Sequence, residues 1–210
     1  MPKNTFYENQ AKTIIKNMEK RNFEGYYATT ADEAREKVLS LMEESSSIGW
    51  GGTMTMEEIG VFDAIKEKNY VLIDRTAAKT PEERREIYAR TVLADYYLMS
   101  TNAITLEGEL INIDGNGNRL ACLMQGPKNV IIVAGMNKVV SDVESGYLRV
   151  KNMASPPNCV RLNRKTPCAV TGQCEDCYAP DCICSHTVVT RRCNIPGRIK
   201  IILVGDELGY

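Results

Sequence analysis

Long apolar runs, a surplus of either charge and a supply of histidine are all missing from this sequence. No stretch approaches the roughly 18 apolar residues that a membrane-spanning helix needs. Its 26 basic and 27 acidic side chains nearly cancel, which argues against a dedicated nucleic-acid or membrane-surface binder. The start, Met1-Pro2-Lys3-Asn4-Thr5, runs into polar residues and lacks the apolar stretch of a secretory signal, so a cytoplasmic location is expected. The one histidine, His186, lies among cysteines, which leaves no Ser/His/Asp triad to assign. Neither G-x-G-x-x-G nor a Walker A sequence occurs, no carboxylate pair has glycosidase-like spacing, and no internal repeat is evident.

What is present suffices for one sizeable core: 43% of the 210 residues are apolar and 25% charged, as expected of a single domain. Tyr7, Ala11, Ile14 and Met18 fall on one face of a helix. Thr30 with Glu33, and Thr80 with Pro81 and Glu83, are helix-start signals. Between them, Tyr70-Val71-Leu72-Ile73, Tyr96-Tyr97-Leu98-Met99 and Val130-Ile131-Ile132-Val133 suit buried strands, and Ile199 to Val204 suits a last one. Continuous apolar strands separated by helices predict an α/β fold of three layers, a mostly parallel sheet with helices on both faces. Ala103 to Leu106 and Glu109 to Ile113 read as a hairpin across Glu107-Gly108. Asp114-Gly115-Asn116-Gly117-Asn118 then forms a second turn leading to a strand over Arg119-Leu120-Ala121-Cys122-Leu123, so an antiparallel meander is expected beside the sheet.

Six of the eight cysteines fall between 168 and 193. Cys174 and Cys177 form a C-x2-C pair, the spacing with which one tight turn presents two thiolates to one metal. Cys168 and Cys184, one on either side, are the expected remaining ligands. All-sulfur ligation suits an iron–sulfur cluster or zinc equally, and the spacing matches neither the ferredoxin run nor a standard zinc ribbon. Cys182, Cys193 and His186 stay without a role, and unligated thiols in a loop are the plainer alternative. The expected organisation is an α/β domain over 1–165 and 196–210, with 166–195 a cysteine-rich metal-binding segment within it.

Ile48-Gly49-Trp50-Gly51-Gly52-Thr53 ends a strand and precedes a helix for which Thr55 and Glu58 supply a capping box. Such a turn exposes backbone N–H groups that favour an anion, although a tight connection without a ligand explains it as well. Gly49, Gly51, Gly52 and Thr53 are therefore candidate ligand-binding residues. Asn102, Asn116, Asn118 and Arg119 are candidates for the opposite wall, with Arg119 as a bidentate anchor for carboxylate or phosphate. Glu107 is the candidate catalytic carboxylate.

Gly49 to Thr53, Thr101-Asn102-Ala103-Ile104-Thr105, Gly108 to Gly115 and Gly117-Asn118-Arg119 together resemble the LUD-domain family of lactate utilization proteins. Gly126-Pro127-Lys128, Gly135-Met136-Asn137-Lys138 and Ala154 to Asn158 extend the match. Thr166 to Cys184 and the ending Leu203 to Tyr210 are similar to a subgroup with a C-terminal cysteine motif. The resemblance implies a fold like that of ribose-5-phosphate isomerase and the CoA transferases, in which anionic substrates sit over glycine-rich loops at strand ends. It further implies an accessory or redox role, with iron–sulfur redox proteins of a lactate oxidation system as partners. The alternative is a transferase, isomerase or ligase acting on a phosphorylated or CoA-linked substrate, its cysteines holding structural zinc. The expected ligand is a small anionic metabolite, with no nucleic acid and no membrane involved.

Overall fold

A computed structural model of the chain describes residues 2–210. Helix α1 (Pro2–Glu19) buries Ala11, Ile14 and Met18 and leads into strand β1 (Phe23–Ala28). Helix α2 (Ala31–Ser40) begins where the Thr30 side chain accepts from the Glu33 N–H. Strand β2 (Ser47–Trp50), the short helices α3 (Met54–Glu58) and α4 (Val61–Lys66), and strand β3 (Val71–Ile73) follow. Helix α5 (Pro81–Val92) starts with a complete capping box between Thr80 and Glu83 and returns the chain to β4 (Tyr96–Met99). Strands β5 (Ala103–Thr105) and β6 (Leu110–Asp114), helix α6 (Asn118–Met124) and strand β7 (Asn129–Gly135) come next. The remainder comprises β8 (Val139–Val140), α7 (Val143–Arg149), one wide helical turn over Val150–Ala154, α8 (Ser155–Arg161), α9 (Pro167–Thr171), β9 (His186–Thr190) and β10 (Ile199–Val204).

Two sheets result. The larger has six strands in the order β1-β10-β7-β4-β2-β3, every pairing parallel. Successive side chains of a strand point to opposite faces, and here both faces are apolar. Tyr97, Met99, Val130, Ile132 and Ile201 pack with Ile14 and Met18 of α1 and Leu120 and Leu123 of α6. Tyr96, Leu98, Ile131, Val133 and Ile202 pack with Val38 of α2, Met56 of α3 and Ile65 of α4. That is the expected three-layer arrangement, and the continuous apolar strands mark its buried middle layer.

The smaller sheet has the order β8-β5-β6-β9, with β6 antiparallel to both β5 and β9. The expected hairpin is therefore present, but its third strand is not the segment after the second turn. Arg119 to Leu123 is helical within α6, and β9, from the cysteine-bearing part of the chain, pairs with β6 instead. The helix arises because the Asp114 carboxylate accepts the Asn116 and Gly117 N–H groups and winds the turn, while Gly117 takes φ +75°, a conformation that favours glycine. Leu120 and Leu123, one helical turn apart, then reach the core together. No helix among the described residues is long and apolar enough to cross a membrane.

Candidate functional site

The parallel strands of the large sheet all point their carboxyl ends at one side of the molecule, where open α/β sheets collect their ligands. There the segments after β2, β3, β4 and β7 meet β6, α6, α8 and the loop over 180–183 around a cavity of about 410 Å³. Of the residues expected to bind a ligand, Gly52, Thr53, Asn102, Asn116, Asn118 and Arg119 line it.

Gly49 and Gly51 stand elsewhere and serve packing. A Cβ on Gly49 would lie 2.7 Å from Thr91 Cγ2, and one on Gly51 would lie 3.0 Å from the Tyr97 hydroxyl. Gly52 faces the cavity: a Cβ there would lie 2.7 Å from Arg75 Nη2 and 3.6 Å from Arg161 Nη2. The missing side chain is what lets two guanidinium groups from distant parts of the chain approach the same space. The helix after this loop is capped by Thr53, whose hydroxyl accepts from the Met56 N–H, and not by the expected Thr55. Thr55 is buried and turns inward to Lys138.

Arg119 also departs from its expected part. Nη1 donates to the Ser100 carbonyl (3.2 Å) and Asn112 Oδ1 (2.8 Å), and Nη2 to Asn102 Oδ1 (2.9 Å) and the Ile113 carbonyl (2.6 Å). Nε lies 3.6 Å from the Asp114 carboxylate. A guanidinium has five N–H donors, so Arg119 has no free pair for a ligand and instead ties β6 to the end of β4. The Oδ1 of Asn102 is committed likewise, since it also accepts from the Ile113 N–H. The structure does not bring Glu107 to the cavity. It sits in the β5–β6 turn, ion-paired at 2.6 Å with Lys20, and that pairing with an exposed lysine lowers its pKa.

Three groups outside the expected ligand-binding set complete the site. Arg75 and Arg161 have no carboxylate within ion-pair distance among the described residues, and Arg161 Nε and Nη2 donate to Asn158 Oδ1 at 3.1 and 2.7 Å. Lys138 is 3% exposed. Its Nζ donates to Thr55 Oγ1 at 2.9 Å and Ser100 Oγ at 3.0 Å. Burial pulls this amine down to about 7, assisted by Arg149, opposed by Glu58 and assisted again by Arg119. The motifs Gly135 to Lys138 and Ala154 to Asn158 were the available signal for this part of the wall, whereas nothing local distinguishes Arg75.

The cysteines border the same cavity. Cys182 and Ile183 line it, and the Cys184 thiol donates to Ser155 Oγ at 3.4 Å. Burial pushes the Cys184 thiol up to about 11, with Cys182, Cys174 and Cys168 near enough to add to the effect. Cys159, from α8, is likewise pushed up to about 11 by burial, and the Cys168 thiol shares a hydrogen bond with the Thr166 hydroxyl at 3.3 Å. Thiols so gathered are the right donor chemistry for zinc or iron–sulfur. As arranged, however, no three His, Cys, Asp or Glu side chains among the described residues form a metal-holding group, so these side chains do not fit a metal as they stand. His186 opens β9 opposite Asp114, with its ring beside Gly117.

A family model described as LUD domain matches residues 11–204. The crystal structure of a DUF162 family protein from Deinococcus radiodurans aligns with 96% of this chain and 98% of its own at a TM-score of 0.52 and 14% identity, a likeness of fold. Ribose 5-phosphate isomerase A from Neisseria gonorrhoeae aligns with 55% of this chain and 56% of its own, with a TM-score of 0.33 and 18% identity. For eIF2B delta from Chaetomium thermophilum the coverages are 55% and 50%, the TM-score 0.37 and the identity 15%. None of the curated proteins matches the chain.

Proposed function

Because this chain belongs to the LUD domain family, we propose, with that membership as premise, that it binds a small anionic metabolite, a short carboxylate or a phosphate ester, in the cavity above Gly52. The observation that carries this reading is the convergence of Arg75 and Arg161 on the space left by Gly52. Two like charges held together without a carboxylate between them repel, and an anion accepting from both relieves that repulsion with charge-assisted hydrogen bonds. Asp114 and Asp181 also line the cavity, but both are occupied. Asp114 accepts the backbone N–H groups of its own turn, and Asp181 accepts the Lys165 N–H at 3.0 Å. Calorimetric titration with phosphate, pyruvate and propionate tests the reading. Binding of at least one, abolished in Arg75→Gln plus Arg161→Gln, supports it; no binding, or binding indifferent to the double substitution, overturns it.

The second part of the reading is a metal or iron–sulfur centre on Cys168, Cys174, Cys177 and Cys184. The density of cysteines in this segment, six between 168 and 193 with a C-x2-C pair among them, supports it. Taking up a metal requires the loop over 173–185 to draw in, since no ligand set is assembled as it lies. On this reading the protein is an accessory or redox component working beside iron–sulfur proteins that oxidise lactate. Anaerobic purification followed by metal analysis separates the cases: iron with sulfide supports the redox role, stoichiometric zinc the structural alternative, and neither metal removes the centre.

A further inference from the structure

Binding an anion does not account for Lys138. It ends the short helical turn at the carboxyl end of β7 and is held between two hydroxyl groups at about 3 Å, those of Thr55 and Ser100. Lysine is among the residues least often fully buried unless paired with a carboxylate. Here Arg149 and Arg119 are nearby cations, Glu58 is the nearby acid, and no carboxylate lies within ion-pair distance among the described residues. Glu58 is itself occupied, accepting the Gly209 N–H at 2.7 Å. A desolvated lysine beside other cations is the arrangement that keeps an amine unprotonated and nucleophilic, and Lys138 opens into the same cavity as Arg75 and Arg161.

We propose that Lys138 forms an imine with the carbonyl carbon of an anionic substrate, a 2-oxo carboxylate or a phosphorylated ketone or aldehyde. The inference rests on the anion-binding reading, for Arg75 and Arg161 hold the substrate's charge. The amine nitrogen adds to the carbonyl carbon and opens its π bond. One proton passes from nitrogen to the new alkoxide, giving a carbinolamine. A second proton from nitrogen leaves with the hydroxyl as water, and the C=N bond forms. No electrons are gained or lost, so no oxidant or reductant is needed. Ser100 and Thr55, each able to donate and accept, stand where they can carry these protons between nitrogen and oxygen.

The test is reductive trapping. The whole protein is incubated with cyanoborohydride and either pyruvate or dihydroxyacetone phosphate, then digested and mapped by mass spectrometry. The expected result is a reduced adduct concentrated on Lys138, absent from K138M and K138R, and suppressed by propionate or phosphate. Labelling by pyruvate alone identifies a carboxylate-bearing substrate, and labelling by the phosphate ester alone a phosphorylated one. Mapping the unmodified sequence fixes the site even where K138M fails to fold. Adducts spread over the exposed lysines with none enriched at Lys138, or no adduct from either compound, overturn the imine. When that failure coincides with anion binding by calorimetry, the anion-binding reading stands and only the imine is lost; when anions also fail to bind, both fall.

Discussion

The cavity has two walls built in opposite ways. On the strand-end side the key charged groups are tied into the fold: Arg119 alone makes four hydrogen bonds to β6 and to the segment just after β4, and Lys138 makes two. Facing it, beside α8, residues 180–183 line the cavity within a segment over 173–185 that forms neither helix nor strand. A Lys151–Asp176 ion pair at 2.7 Å, the Lys165 N–H on Asp181 and the Cys184 thiol on Ser155 are what secure it. A site that must orient a substrate gains from the first construction, because the geometry is fixed before binding. A segment that must gather ligands or admit a substrate gains from the second, because few contacts have to break for it to move.

Removing Arg119 gives the largest expected effect. Arg119→Met removes one donor each from Asn102 Oδ1, Asn112 Oδ1 and the carbonyls of Ser100 and Ile113; the two amide oxygens keep the N–H groups of Ile113 and Asn102, and each buried acceptor left stranded costs about 1–3 kcal/mol. A total loss of about 3 kcal/mol or more is expected in urea unfolding. A loss below about 1 kcal/mol would make the strand-end wall no firmer than the loop.

Lys138 comes next, through pH. Its pKa is lowered from 10.5 to about 7 by burial and by Arg149, with Glu58 opposing and Arg119 assisting. Between those two values the unfolded chain carries a proton that the folded chain lacks, so stability rises with pH across this window. Below about 7 both states are protonated and the contribution is flat. The slope has a ceiling of about 1.4 kcal/mol per pH unit. It should be present in the parent protein and absent from Lys138→Met, as read from the difference between their unfolding curves at pH 7 and 9.5. Parallel curves would show that Lys138 keeps its proton. Arg75→Gln should be milder for the fold: about tenfold weaker anion binding, or about 1.4 kcal/mol, with stability unchanged within about 0.5 kcal/mol.

How much of this the amino-acid order discloses depends on how local each signal is. The strands β3, β4, β7 and β10 of the central sheet, the hairpin and the Thr80 capping box are written in short windows, and the structure has them where expected, whereas β1 is not among the strands expected. Arg119 to Leu123 reads as strand in the sequence because five residues do not distinguish a period of 2 from one of 3.6. The turn held by Asp114 and the left-handed Gly117 decide in favour of helix. Among the site residues, the glycine loop and the Asn102 to Arg119 segment were visible as motifs. Their division of labour was not, because whether Arg119 meets a ligand or its own backbone depends on a fold that brings residues 100, 102, 112 and 113 together around it. Arg75 carries no local mark, and although Lys138 ends one of the quoted motifs, the importance of Arg75, Arg161 and Lys138 comes from their meeting around one cavity.

The smallest expected effect belongs to the loop wall and is informative for that reason. Cys174 is half-buried in a segment with few ties, and serine differs from it by one atom, so metal-free Cys174→Ser should unfold within about 0.5 kcal/mol of the metal-free parent. A ligand that binds only the folded state adds stability in proportion to RT ln(1 + [L]/Kd). If the thiols close on a metal, the parent should therefore gain midpoint temperature with added zinc, or after anaerobic iron–sulfur reconstitution, and the variant should not. Equal gains would mean that Cys174 is not a ligand, and no gain in either would leave the thiols as ordinary side chains. A large loss in the metal-free variant would break the comparison from the other side, because it would show that the loop is already as firmly built as the strand ends it faces.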